Sequence, residues 1–332
     1  MRILVTGATG FIGSRLVQIL ATAGHDVLAT GRPENAVELE RAERVRSAGI
    51  PLLTGSLLDK GFADKLLVGR EAVIHLAAAQ HEGNVPDAYF RDVNVLGIRM
   101  LLDAAVNAGV RRFVYGSTIG IYGSATQGEL NEQSPSRPEN IYCVTKLEAE
   151  RVTAEFSSRV ETCVVRISET YGPADLRLLK LFRSIDHGTF VMIGSGQNLR
   201  QVIYVDDLAN GLIIATEHPA AVGETFVFAG TEVMTTSQMV RQISDALGRR
   251  PSAKRLPVWP FRAAAAVLEA GLRPLKIQPP LTQRRLDFFT KSFEFSTRKT
   301  QRLLAFVPQV TFAAGCAATV KWYREHGDLE TH

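Results

Sequence analysis

Arg2-Ile-Leu-Val-Thr6-Gly7-Ala-Thr-Gly10-Phe-Ile-Gly13 stands at the start of the chain and decides how the rest is read. Ile3, Leu4 and Val5 form an unbroken apolar run of strand length. Ile12, Leu16, Ile19 and Leu20 then recur at helical spacing. Glycines at such a strand–helix junction let the chain turn tightly, so that backbone N–H groups and the positive helix end can meet a pyrophosphate. Glycine spacing alone is a weak signal; its place directly after a strand makes it specific. The junction assigns Gly7, Thr9, Gly10, Phe11, Ile12 and Gly13 to a bound dinucleotide.

Working outward, Asp26–Thr30, Glu71–Leu76, Arg112–Gly116 and Thr162–Ile167 read as further buried strands. A helical pattern through Val95, Ile98, Leu101, Leu102 and Ala105 lies between two of them. The alternation predicts an α/β fold of the Rossmann type, a doubly wound parallel sheet, with a smaller C-terminal α/β region for substrate. Residues 1–170 are expected to form the dinucleotide-binding part, with 199–222 returning to it. Residues 171–198 and 223–332, including a strand at 225–229 and a helix at 236–247, are expected to form the substrate region.

Composition narrows the partners. The apolar fraction is 45% and the charged fraction 22%, ordinary for an enzyme. The net charge is only +4 and the basic residues are scattered, which argues against nucleic acid. Cys143, Cys163 and Cys316 lack metal-ligand spacing, so no metal is expected, and they suit a reducing cytoplasm. The apolar stretch from Phe261 to Leu272 is too short to span a bilayer and contains Arg262 and Glu269. It reads as a substrate-domain helix, and no membrane partner is expected. The expected partner is a small-molecule substrate, with a homodimer left open.

Two further places carry chemistry. The second strand ends in Thr30-Gly31-Arg32, where an NAD-binding fold usually offers an acid to the adenosine ribose. Arg32 is instead suited to a 2′-phosphate, which favours NADP(H) over NAD(H). Tyr142 and Lys146 are four apart at the start of a helical stretch, on one face. A phenol, with an ordinary pKa of about 10, acts as a base near neutrality only when a nearby cation favours its ionised form.

Gly116-Ser117-Thr118 lies 24 residues before Tyr142, just past a strand. Taken with Gly7–Gly13, His75-Leu-Ala-Ala78, Asn94, Tyr142 to Lys146, and Arg166 through Tyr171-Gly-Pro173, it resembles the extended short-chain dehydrogenase/reductase family, also called the NAD-dependent epimerase/dehydratase superfamily. The resemblance covers most of the chain in the expected order. It implies that Thr118 hydrogen-bonds the reacting substrate oxygen, Tyr142 exchanges its proton, Lys146 also binds the nicotinamide ribose, and Asn94 supports a water-linked relay. It further implies that Leu76, Ala77 and Ala78 line the dinucleotide, with Ser56 and Leu57 by the adenine.

Departures from the family pattern bear on the reaction. Sugar-nucleotide dehydratases carry Asp-Glu after the threonine, whereas Thr118 is followed by Ile119-Gly120. Epimerases commonly have Asn where this chain has Glu169, whose charge would repel a diphosphate unless it points elsewhere. Their Pro-x-Arg-x-Gly-Asp clamp is replaced by the run 282–289. Arg200 does match a nucleotide-contacting arginine of epimerases. The stretches 171–175, 192–199 and 204–208 are similar to the 3β-hydroxysteroid dehydrogenase and dihydroflavonol reductase branch. Phe182, Trp259, Phe261, Phe288 and Phe289 would suit a less polar substrate, or else form the core of the small region. The expected activity is reversible hydride transfer at a secondary alcohol or ketone carbon. A nucleotide-sugar epimerase is the alternative. A non-catalytic dinucleotide sensor is a third, argued against by the Thr118, Tyr142 and Lys146 set.

Overall fold

The computed structural model describes residues 1–80, 85–124, 128–251, 254–272 and 283–330. Seven strands form its central sheet: β1 (Arg2–Thr6), β2 (Asp26–Gly31), β3 (Leu52–Thr54), β4 (Ala72–His75), β5 (Arg112–Thr118), β6 (Glu161–Ile167) and β7 (Thr225–Phe228). Their order is β7-β6-β5-β4-β1-β2-β3, and every pairing is parallel. The chain runs outward from β1 through β2 and β3, then returns to place β4 on the other side of β1. A crevice opens beyond the carboxyl ends of the strands at such a reversal.

Both faces of the sheet are covered, which is why its strands read as continuous apolar runs rather than alternating ones. Ile3, Val5, Val114 and Val165 pack with Leu16 and Leu20 of the Phe11–Thr22 helix and with Leu208 and Leu212 of the Val205–Glu217 helix. Leu4, Val73, Phe113 and Tyr115 face the opposite way, onto Leu66, Leu101, Leu102, Ala149 and Val152. The doubly wound parallel sheet expected from the sequence is thus present.

Two sequence expectations need adjustment. Leu52–Thr54 was not expected as a strand, because three residues are too few to show a period. The Thr225–Phe228 segment was expected within the substrate region. Instead it completes the central sheet beside β6, with Phe226, Val227 and Phe228 fully buried. The helices Leu176–Asp186, Thr236–Leu247 and Phe312–Glu325 form a separate core through Phe182, Met239, Ile243, Cys316 and Tyr323.

Candidate active site

The glycine turn is built by contact. Gly7 has φ +69°, and a Cβ there would lie 2.7 Å from the backbone of Leu76 and Ala77. Only a glycine lets the end of β1 lie this close to the end of β4. At Gly13 a Cβ would come within 2.2 Å of the Gly7 carbonyl oxygen, so the helix also starts tight against the turn. Gly10 caps that helix without a side-chain hydrogen bond. The first-turn N–H groups, which have no intrahelical partners, are left for an anion.

This turn forms one wall of a cleft of about 770 Å³. The cleft is also lined by Thr9, Phe11, Ile12, Arg32, Ser56, Leu57, Leu76, Ala77, Ala78, Thr118, Tyr142, Lys146 and Glu169. All the expected site residues thus lie on one surface except Asn94 and Arg200. The cradle and its donor set fit a dinucleotide with its pyrophosphate on the helix end.

Behind the wall, the Thr6 hydroxyl accepts the N–H groups of Leu76 and Ala77, each at 3.2 Å, and shares a hydrogen bond with His75 Nδ1 at 2.8 Å. Burial lowers the His75 pKa to about 3, which keeps the ring neutral. The arrangement holds Leu76 and Ala77 opposite Gly7.

The reactive corner is held from three directions. Thr118, at the end of β5, accepts the Gly120 N–H at 3.1 Å and so caps the helical turn Ile119–Tyr122. Tyr142 and Lys146 project from the Ile141–Glu155 helix, which Asn140 caps by accepting from Cys143 N–H. Lys146 is buried, donates to the Gly116 carbonyl at 2.6 Å, and places its ammonium 4.3 Å from the centre of the Tyr115 ring. Burial lowers its pKa to about 7, with the Glu150 carboxylate opposing that shift.

Glu150, one turn after Lys146, was not singled out in the sequence. It accepts the Ser117 hydroxyl and pairs with Arg166 at 2.8 Å, both partners being nearly buried. Arg166 also donates to Tyr122 Oη and to the Glu132 carbonyl. The i, i+4 spacing from Lys146 was a readable signal; the contact across β5 and β6 was not.

Asn94 lies behind the cleft, on the single π-helical turn Asp92–Leu96, a local widening frequent at functional sites. Its Oδ1 accepts from Ala79 N–H at 2.7 Å. Its Nδ2 donates to the Ala79 carbonyl and to Thr145 Oγ1. Both amide protons are thereby committed, and Asn94 joins the strand-end segment Leu76–Ala79 to the helix carrying Tyr142 and Lys146.

On the adenosine side, a Cβ at Gly31 would lie 2.7 Å from Thr9 Oγ1. A side chain at Gly31 would therefore need Thr9 to shift. Arg32 donates through Nε to Glu34 Oε1 at 2.7 Å, a partner not anticipated from the sequence. Arg41 also lines the cleft. It lies over the Phe11 ring and donates to the Ala174 carbonyl, and burial lowers its pKa.

On the substrate side, Glu169 lines the cleft and pairs with Arg200 at 2.8 Å. Arg200 is only 2% exposed, and its guanidinium lies 4.5 Å from the Phe288 ring centre. Glu169 was expected to repel a diphosphate unless it points elsewhere; its carboxylate is paired with Arg200. Phe182 belongs to the small core, whereas Trp259 is exposed and lines a second cleft with Phe289. Of the run 282–289, Thr282 and the side chains of 283–285 lie outside the described residues. No cluster of three metal-ligating side chains occurs among the described residues.

With this geometry in place, the matches to known proteins become informative. Residues 3–229 match the model of the NAD dependent epimerase/dehydratase family. The chain belongs to that family. It is an NAD-dependent-family enzyme of the extended short-chain dehydrogenase/reductase superfamily. A dTDP-glucose 4,6-dehydratase of Streptomyces griseus is 29% identical over 98% of this chain and 94% of its own length. A UDP-glucose 4-epimerase of Vibrio cholerae is 27% identical over 78% of this chain and 80% of its own. The crystal structure of a dTDP-glucose 4,6-dehydratase from Streptomyces venezuelae, solved with NAD bound, superposes with a TM-score of 0.78. It is 26% identical and covers 98% of this chain and 97% of its own. No helix among the described residues is long and apolar enough to cross a membrane.

Proposed function

We propose that the enzyme carries out reversible hydride transfer between a nicotinamide cofactor and the carbinol or ketone carbon of a substrate less polar than a nucleotide sugar. The observation that carries the substrate class is the Glu169–Arg200 pair. The arginine best suited to a diphosphate is buried and already joined to a carboxylate at 2.8 Å. A diphosphate would have to displace a charge-assisted hydrogen bond worth about 1.5–3 kcal/mol and accept Glu169 as a neighbour.

In this reading the bound cofactor supplies the hydride acceptor or donor at its nicotinamide ring. Thr118 holds the reacting oxygen by a hydrogen bond, and Tyr142 Oη removes its proton in oxidation and returns it in reduction. Lys146, fixed to the Gly116 carbonyl, supplies the local positive field that favours the ionised phenol. Asn94 ties Ala79 to Thr145 of the helix that carries Tyr142 and Lys146. Thr118 is followed by Ile119 and Gly120, without a carboxylate to expel water, so dehydration is not proposed.

Arg32 is the residue suited to an NADP(H) 2′-phosphate, but Glu34 competes for it. We assign Glu34 as the group that keeps NAD(H) acceptable in this cleft.

A second reading, nucleotide-sugar 4-epimerisation, draws support from the Vibrio cholerae relative and from the resemblance of Arg200 to an epimerase nucleotide-contacting arginine. Calorimetry with UDP separates the two. The wild type is expected to bind UDP no tighter than about 1 mM, and Glu169→Asn to bind it more tightly by freeing Arg200. Micromolar binding by the wild type, lost in Arg200→Ala, would make epimerisation the better reading.

A further inference from the structure

The Ala36–Ser47 helix presents Arg41 to the same cleft that the glycine turn walls. The Arg41 guanidinium lies over the Phe11 ring, 5.9 Å from its centre. Phe11 is the first residue of the helix whose free N–H groups follow the glycine turn. Toward the substrate region, Nη2 of Arg41 donates at 2.8 Å to the carbonyl of Ala174, just ahead of the Leu176–Asp186 helix. The side chain therefore bridges from the start of the Phe11 helix to the turn that opens the substrate region.

Its charge is unmatched there. Arg41 makes no ion pair and no second hydrogen bond with any described residue. Glu38, Glu40 and Asp175 act on it only from beyond contact distance, while Arg44, one turn further on, repels it. Burial disfavours the cation more than any of these neighbours does. The other cations lining the cleft are engaged: Arg32 with Glu34, Arg177 at 3.6 Å from Asp175, and Lys146 on the Gly116 carbonyl at the reactive corner. A half-buried guanidinium without a counter-charge is stabilised by an anion that enters the cleft.

We propose that Arg41 is the clasp for the cofactor pyrophosphate, gripping it from the Ala36–Ser47 helix while the end of the Phe11 helix holds it from the other side. A helix end carries only about half a unit of positive charge, too little for a dianionic pyrophosphate. A planar guanidinium with parallel N–H groups supplies the missing charge in the geometry that phosphate oxygens accept. The 2′-phosphate is the poorer target, because Arg32 already stands at the end of β2 where that group would lie. The inference concerns the cofactor alone and does not rest on the substrate reading.

The test is titration of the cofactor-free full chain with NADH, NADPH and ADP-ribose by calorimetry, with adenosine measured by displacement of NADH fluorescence. Arg41→Gln keeps a donor for the Ala174 carbonyl but removes the charge. It should weaken NADH, NADPH and ADP-ribose by similar factors of about tenfold or more, and adenosine by less than about twofold. Arg41→Lys, which keeps the charge, should recover most of that loss. Raising salt should weaken NADH binding to the wild type more than to Arg41→Gln, which a purely structural tie to Ala174 would not produce. Unchanged NADH affinity in Arg41→Gln, or the same salt dependence in both proteins, would overturn the proposal. So would a loss confined to NADPH, which assigns Arg41 to the 2′-phosphate, or an equal loss for adenosine, which assigns it to the adenine ring.

Discussion

At the scale of single residues, the site rests on groups whose neighbours constrain what each can do. Tyr142 faces the cleft on the same helix as Lys146. Tyr142→Phe should lower turnover by about a hundredfold or more while NAD(H) affinity, measured by fluorescence titration, is retained. Near-normal turnover would remove the phenol from the mechanism. In the proposed reading Arg32 and Glu34 decide the cofactor by competition, since a 2′-phosphate contact from Arg32 would cost its bond to Glu34. Glu34→Gln should therefore tighten NADP(H) more than NAD(H), by about fivefold at this exposed position. Equal changes for both cofactors by calorimetry would show that Arg32 does not reach the 2′-phosphate. The glycines, Tyr142 and Lys146 were legible in the sequence because their chemistry depends on local spacing. Glu150 was not, since its partners Ser117 and Arg166 are brought near only by the fold. Glu34 lies only two residues from Arg32, but spacing alone does not show that the two side chains pair.

At the scale of elements, the reactive corner is a junction of β5, β6 and the Ile141–Glu155 helix, and Glu150 is the point where they meet. It takes the Ser117 hydroxyl from β5 and Arg166 from β6. Removing one partner of a nearly buried ion pair leaves the other uncompensated. Glu150→Ala should thus cost about 3–5 kcal/mol in urea unfolding, and Glu150→Gln less, since it keeps a hydrogen-bond acceptor. A loss below about 1 kcal/mol would mean that Arg166 finds water or another acceptor. The elements themselves were legible where a strand is buried on both faces, as in Arg2–Thr6 and Glu161–Ile167. Thr225–Phe228 was legible as a strand but not as a member of the sheet. Nothing local distinguishes a strand that returns after a long excursion from one in a separate layer. The π-helical turn holding Asn94 was equally hidden, because a single wide turn is too short to show a period of its own.

At the scale of the whole molecule, the buried titratable groups set how stability follows pH. Burial lowers His75 to about 3 and Lys146 to about 7. The unfolded chain then binds more protons than the folded one from about pH 3 to 6.5 through His75, and from about pH 7 to 10.5 through Lys146. Stability rises with pH wherever the unfolded state holds more protons, so both windows push it upward. The opposite pull begins near the ordinary thiol range. Burial raises Cys163 to about 12, and Cys316, Tyr171 and Tyr323 are also raised, so the folded state retains protons that the unfolded chain gives up. The cofactor-free enzyme should therefore be more stable at about pH 8.5 than at about pH 6, and lose stability again above about pH 10. Urea unfolding across this range, on the wild type and on Lys146→Met, isolates the lysine. The variant should show a flatter rise between about pH 7 and 9, because it has no buried ammonium to relieve. The same variant should lose turnover, since in the proposed mechanism the cation that burial disfavours is the one that supports the phenol. A wild-type stability that falls from neutral to mildly alkaline pH, or a variant with an unchanged slope, would mean that Lys146 stays solvated and charged in the folded enzyme.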